Sequence, residues 1–115
     1  MKDLEKNKTE NIELLMKFAG YPENWDGEEG LPFGADFIHE VIDLVSTLQK
    51  QPDIGATGHG SIDLEYGSVR DGQKYMNIEI YEKDRRVHLF SKSKTGEITE
   101  EDIGMEDING YVQQF

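Results

Sequence analysis

The sequence is organised around Asn24-Trp25-Asp26-Gly27, which is followed by the segment 28–32 (Glu-Glu-Gly-Leu-Pro). Asn and Asp side chains close tight turns by bonding to nearby backbone, and Gly tolerates positive φ. We therefore predict a turn at residues 24–27. Trp25 is the only tryptophan of the chain and lies between two helical patterns. We expect its ring to pack into the core and to anchor the loop.

Two amphipathic helices are predicted on either side of this loop. Apolar residues at three- and four-residue spacing predict a helix over residues 3–19, and Gly20 and Pro22 provide the signals that end it. A broad apolar stripe predicts the second helix over about residues 35–50, and Pro52 prevents its continuation.

After residue 60 the apolar period changes from helical to two. This alternation predicts strands at about residues 61–66 and 75–81 and a third that begins near Val87 and is ended by Thr95-Gly96, with Asp71-Gly72 and Asp84-Arg85 in the turns between them. The three strands are expected to pair as an antiparallel meander whose apolar residues all face the helices.

The C-terminal part is predicted to be helical, and the Gly-rich segment 55–60 to be a flexible connection. Residues 99–102 (Thr-Glu-Glu-Asp) resemble a capping box that would begin a short C-terminal helix ending near Phe115. The prediction is therefore an α+β fold with the order α-α-β-β-β-α, a three-stranded meander, and one domain spanning residues 1–115.

The overall composition narrows the functional classes. A chain of 115 residues supports one core, and the absence of cysteine excludes disulfides and thiolate metal sites. No apolar run follows the N-terminal residues 1–6, so no signal peptide is expected and we predict a cytoplasmic protein. The net charge of -12 would repel nucleic acids and anionic membranes and attract basic protein surfaces.

The negative charge is concentrated in two spans without Lys or Arg, residues 18–49 and 97–115, whereas residues 66–96 have a basic excess. We expect each acidic span to form a partner-binding surface. The first surface is predicted from Glu28, Glu29, Asp36, Glu40 and Asp43, and the second from Glu100, Glu101, Asp102, Glu106 and Asp107. The alternative is that these acids only increase solubility.

Catalytic patterns are sparse. His39, Glu40 and Asp43 resemble the HExxH helix of zinc hydrolases with its second histidine replaced, and His39 and Asp43 would share one helical face. No third metal ligand stands out, and the chain has no cysteine nucleophile and no Gly-x-Ser-x-Gly elbow. We therefore predict no enzyme, no cofactor and no metal, and keep a metal-dependent hydrolase as an alternative.

Aromatic residues are predicted on the side of the sheet that faces away from the core. Tyr75, Tyr81 and Phe90 would form an aromatic face, with His88 beside them and a basic rim of Lys74, Lys83, Arg85 and Arg86. This face would either bind a partner or be covered by the C-terminal helix or a second copy of the chain.

Residues 21–82 resemble a family of small bacterial proteins whose function is not known. The resemblance depends on Asn24-Trp25-Asp26-Gly27 and on the later strand 60–65 (Gly-Ser-Ile-Asp-Leu-Glu). The chain departs from the pattern in an additional Glu29, in Leu31 where Ala is usual, and in Tyr66 where Trp is usual. The resemblance implies a bacterial or phage origin and assigns no catalytic residue.

The functional prediction is a non-catalytic acidic module that binds a basic, nucleic-acid-handling protein. Such a module would mimic nucleic acid and act as an inhibitor or neutralising partner, as anti-CRISPR proteins of phages and some antitoxins do. Direct binding to nucleic acid or to a membrane is not expected. A homo-oligomeric structural module, such as a homodimer joined through the aromatic face, is the second alternative.

Overall fold

Three helices and five antiparallel strands account for most of the residues described by the computed structural model, which are 2–27 and 30–115. The helices are α1 (Lys2–Phe18), α2 (Ala35–Thr47) and α3 (Ile108–Gln114). The strands are β1 (Asp53–Thr57), β2 (Ser61–Gly67), β3 (Tyr75–Tyr81), β4 (Val87–Lys92) and β5 (Ile98–Ile103), and they are neighbours in that order.

The α+β class, the first two helices and the central meander β2-β3-β4 are confirmed, but the number of strands and the element order are wrong. The chain has five strands in the order α-α-β-β-β-β-β-α. Strand β1 lies largely within the segment predicted to be flexible, and it pairs with β2 through Ala56 and Ile62. Gly and Ala have low strand propensity, so pairing with a neighbour decides this conformation.

Strand β5 replaces the predicted start of the C-terminal helix. Gly96 has φ +91°, and the turn at residues 93–97 returns the chain along β4. Glu100 and Asp102 consequently lie opposite Phe90 and His88 in the sheet. The carboxylate cap occurs further along, where Gly104 N donates to Asp107 Oδ2 at 3.2 Å before α3 begins.

All three helices contribute to one buried cluster on the same side of the sheet, which we call the core face. Alternation along β2, β3 and β4 places apolar side chains on this face because successive residues point to opposite sides. The fully buried members from helices and strands include Phe37, Ile38, Val41, Val45, Ile62, Leu64, Ile78, Ile80, Val87, Ile108 and Val112. Because α3 packs here, the alternative in which the C-terminal helix covers the aromatic face is wrong.

The turn at residues 24–27 is confirmed. Gly27 N donates to Asn24 O at 3.1 Å, and Asn24 and Gly27 have φ of 58° and 77°. The Asp26 carboxylate accepts a hydrogen bond from Gly30 N at 2.8 Å. A Cβ at Gly30 would lie only 2.5 Å from Asp26 Oδ1, and one at Gly58 would also collide with this carboxylate. The loop therefore packs directly against the turn between β1 and β2.

Trp25 anchors this loop at the edge of the core and is only partly buried, so it is less deeply inserted than the sequence predicts. Its ring centroid lies 4.9 Å from that of Tyr21 and 6.3 Å from that of Phe33. Its indole Nε1 donates to Leu31 O at 2.7 Å, which closes the loop from the far side.

Replacement of Trp25 should separate the two roles of this side chain. Because the ring is only partly buried, we expect Trp25→Ala to lower the free energy of unfolding by about 2 kcal/mol, less than a fully buried tryptophan would cost. Trp25→Phe keeps an aromatic ring and loses the Nε1 donor, and it should cost about 1 kcal/mol. Urea unfolding measures both. Equal stability of Trp25→Ala and the wild type would show that the loop does not depend on this anchor.

Candidate functional site

The candidate site is the open face, the side of the sheet opposite the core face. Alternation places on it the polar and aromatic residues that are out of phase with the core. Its acidic members are Asp53, Asp63, Glu65, Glu79, Glu100 and Asp102, and its other members include Tyr75, Asn77, Tyr81, His88, Phe90 and Lys92. All three helices contribute their buried side chains to the core on the other side.

Ionisable residues form a row across four strands of the open face. Asp63 on β2 lies opposite Glu79 on β3, which lies opposite His88 on β4, which lies opposite Asp102 on β5. Neighbouring strands are separated by about 4.8 Å, so each side chain is within reach of the next. Adjacent to this row, Phe90 lies between Asn77 and Glu100.

The Asp63 end of the row is the more enclosed. Ser61 is fully buried and its Oγ donates to Glu79 Oε2 at 2.5 Å. Thr57 Oγ1 is 2.5 Å from Ser61 Oγ, so Thr57 is the donor in this pair. His59 Nε2 lies 3.7 Å from Glu79 Oε2. Burial, followed by the charges of Glu79 and Glu65, raises the pKa of Asp63 to about 6.

The other end of the row is a clamp around His88. Its Nε2 lies 3.0 Å from Glu100 Oε1 and its Nδ1 lies 3.0 Å from Asp102 Oδ1. Both nitrogens donate only when the ring is protonated. Hydrogen bonds to Glu100 and Asp102 therefore raise the pKa of His88. The protonated clamp links β4 to β5.

The predicted aromatic residues do share the open face. The ring centroids of Tyr75 and Phe90 are 6.0 Å apart in an edge-to-face arrangement, and Arg86 Cζ lies 4.5 Å from the Tyr81 centroid. Tyr75 and Phe90 come from adjacent strands, and Tyr81 lies at the far end of β3. The rings are therefore spread among the carboxylates of the face.

The predicted basic rim is only partly correct. Arg86 lies over Tyr81, but Arg85 turns to the helical side, where its Nε pairs with Glu40 and its Cζ lies 5.1 Å from the Phe37 centroid. Lys74 contacts Phe115, which packs against Tyr66 on the core face. The conformation of the turns determines where the side chains of Arg85 and Lys74 point, and the alternation of residues along the strands does not predict it.

The described members of the first predicted acidic surface lie on α2, on the outer side of the helical layer. Asp36, Glu40 and Asp43 are exposed there, and Glu40 is paired with Arg85. Glu28 and Glu29 lie outside the described residues. The structure thus separates this surface from the open face by the thickness of the core.

The second predicted acidic surface does not exist as one surface. Glu100 and Asp102 lie on the open face, whereas Glu101 points to the helical side and accepts a hydrogen bond from Tyr111 Oη at 2.7 Å. Glu106 and Asp107 lie in the helical turn before α3. Because this segment begins as a strand, its successive acids alternate between two faces.

The hydrolase alternative rests on residues of α2. His39 and Asp43 are exposed one turn apart, and Glu40 between them is paired with Arg85. Within residues 2–27 and 30–115, no group of three His, Cys, Asp or Glu side chains is arranged to hold a metal ion.

Sequence reasoning missed Asp53, Asp63, Glu65 and Glu79 as site residues. The signal for the last three was their alternation with Ile62, Leu64, Ile78 and Ile80, which places them on the same face as the aromatic rings. Asp53 had no such signal because β1 was not predicted.

Comparison of the chain with protein-family models, with curated proteins and with solved structures gives no significant match. The resemblance at residues 24–27 therefore stays a prediction. Among the described residues, no helix is both long enough and apolar enough to cross a membrane.

The raised pKa of Asp63 predicts a pH-dependent stability difference. The folded chain holds the Asp63 proton more tightly than the unfolded chain, whose Asp pKa is about 3.9. The stabilisation that comes from protonated Asp63 is therefore present below about pH 4 and is lost as the pH rises through 6. Asp63→Asn, which stays uncharged, should gain about 1 kcal/mol over the wild type at neutral pH after allowance for solvent exposure, and little at pH 4.

Urea unfolding at both pH values measures this difference. The control Asp43→Asn removes one charge from an exposed position in the interior of α2 and reports the effect of losing a carboxylate away from the open face. If the two variants have the same pH dependence, the inferred environment of Asp63 is wrong.

The His88 clamp predicts a titration that depends on two specific carboxylates. Proton NMR should give His88 a pKa above the ordinary value of 6.5, and both Glu100→Gln and Asp102→Asn should lower it. The clamp stabilises β4-β5 pairing while His88 is protonated, and this contribution is lost as the pH rises through the raised pKa. Glu101→Gln, on the other face, is the control and should leave the titration unchanged. An ordinary pKa in the wild type would contradict the clamp.

Proposed function

We propose that this chain is a non-catalytic module that binds a basic protein through the open face. The observation that supports this proposal is the combination of carboxylates and aromatic rings on a sheet surface that no helix covers within residues 2–27 and 30–115. Aromatic residues are enriched where proteins bind each other, and complementary charge steers and orients the encounter.

The charges of the open face favour a basic partner. Six acidic residues share it, while the Nζ of Lys92 on the same face donates to Gln73 O at 2.7 Å and to Arg70 O at 3.2 Å in the β2-β3 loop. Lys92 is thus turned toward backbone carbonyls at the border of the sheet. The carboxylates of Asp53, Glu65, Glu100 and Asp102 are exposed on this face and can meet Lys and Arg side chains of a partner.

The mixture of groups also favours a partner that handles nucleic acid. Proteins that bind single strands combine a basic groove, which follows the phosphates, with aromatic platforms, on which the bases stack. Carboxylates and aromatic rings lie side by side on the open face, as at Glu100 beside Phe90. The carboxylates would pair with the basic groove of such a site, and the rings would stack on its aromatic platforms. The module would then occupy the nucleic-acid site and act as an inhibitor or a neutralising partner.

Self-association through the open face is less favourable at neutral pH. A two-fold dimer places the same patch of two copies in contact, so carboxylates would meet carboxylates. The open face thus favours a partner of opposite charge over a second copy.

Capture from bacterial lysate with matched variants tests this function. The immobilised wild type is incubated with nuclease-treated lysate and washed at low and then high salt, and the retained proteins are identified by mass spectrometry. The open-face variant carries Glu65→Gln, Glu100→Gln and Asp102→Asn. The control variant carries Glu13→Gln, Asp36→Asn and Asp43→Asn, which removes the same charge from exposed helical positions.

We expect basic proteins to be retained at low salt by the wild type and the control variant and to be lost from the open-face variant. Single-stranded DNA added to the lysate after nuclease removal should compete for the same proteins. Equal retention by both variants would contradict the proposal, as would loss from the control alone. A doubled solution mass with no retained protein would favour the homodimer.

A further inference from the structure

The two edges of the sheet differ in how they are protected. Strand β1 contacts α1, and Asn11 Nδ2 donates to Gln51 Oε1 at 3.1 Å and to Pro52 O at 3.0 Å where β1 begins. Strand β5 is the opposite edge, and its residues 98–102 are all exposed. Among the described residues, no other strand pairs with its outer side. An open edge presents unpaired N–H and C=O groups to which another strand can pair.

The hairpin geometry identifies the residues that carry these groups. Ser93 N donates to Glu97 O at 2.9 Å at the start of the β4-β5 ladder. In an antiparallel pair, hydrogen-bonded and non-hydrogen-bonded residues alternate. Thr99, Glu101 and Ile103 therefore bond to β4. The outward backbone groups are those of Ile98, Glu100 and Asp102.

The same three residues also direct their side chains to the open face, since they lie opposite Lys92, Phe90 and His88. A strand added at this edge would place its hydrogen-bonded residues directly beside them, with Cβ atoms about 5 Å apart. Its side chains at every second position would then lie next to the carboxylates of Glu100 and Asp102. Charge complementarity therefore requires Lys or Arg at those alternate positions.

We propose that β5 is a docking edge that accepts an extended segment of the basic partner as a sixth, antiparallel strand with Lys or Arg at alternate positions. This inference rests on the proposed function and adds its binding mode. The rest of the sheet is antiparallel, so the added strand continues its pattern. A second copy of β5 is a less favourable occupant because Glu100 and Asp102 of two copies would bring like charges together along the edge.

An NMR titration of the full chain tests the docking edge. The probe is an acetylated and amidated peptide that alternates Lys and Thr. We expect hydrogen exchange of the Ile98, Glu100 and Asp102 amides to slow by about ten-fold or more at saturation, because these amides gain hydrogen bonds. The amides of Thr99, Glu101 and Ile103 already bond to β4 and should change little.

Two N-methylated peptides separate backbone pairing from charge attraction. In an antiparallel pair the Lys residues opposite Glu100 and Asp102 use their own N–H groups, so N-methylation at Lys should weaken binding by about ten-fold. N-methylation at Thr blocks the outer edge of the peptide and should leave the affinity unchanged. Both peptides keep the same charge.

Equal binding of the two methylated peptides, or no protection of Ile98, Glu100 and Asp102 at peptide excess, would overturn the docking edge. The proposed function would still stand in that case if the open-face variant loses the basic proteins from lysate. Conversely, retention of those proteins by the open-face variant would overturn the proposed function irrespective of the peptide result.

Discussion

Pairing of β2, β3 and β4 in one register is the constraint on which the rest of the structure depends. The register places Ile62, Ile80 and Val87 in one row and Leu64, Ile78 and Leu89 in the next. Each of these side chains is buried. A shift of one residue would move an entire strand of apolar side chains to solvent, so the hydrophobic effect fixes the register firmly. The helices then cover this apolar face.

The same register also determines which residues are neighbours on the open face. Once Ile62 and Ile80 are paired, Asp63 must lie opposite Glu79, and His88 must lie between Glu79 and Asp102. Carboxylates that alternate along the strands with buried apolar residues are thereby brought close together and partly removed from water. This proximity, together with burial, raises the pKa of Asp63 to about 6. The open face and the core thus arise from one periodicity.

The connection between α1 and α2, in its described residues 30–34, holds one end of this sheet. Leu31 N donates to Gly58 O at 3.0 Å, and Gly34 N donates to Glu82 Oε2 at 3.1 Å. The loop therefore joins α2 to the β1-β2 turn and to the end of β3. The opposite edge of the sheet, at β5, has no comparable cover among the described residues, which is why a partner strand is inferred there.

The sequence alone determined the α+β class, the first two helices, the central meander and the turn at residues 24–27, because each depends on local periodicity or turn chemistry. It also placed Tyr75, Tyr81 and Phe90 on one face. Only the tertiary structure decided that Gly55 and Ala56 lie in a strand and that Glu100 and Asp102 flank His88 while Glu101 points away. The low strand propensity of Gly and Ala prevented the prediction of β1, and the capping-like pattern at residues 99–102 prevented the prediction of β5. Pairing with β2 and β4 provides the backbone hydrogen bonds of these two strands. An edge strand is stabilised by pairing with its neighbour, so only the assembled sheet shows on which face each of its charged side chains lies.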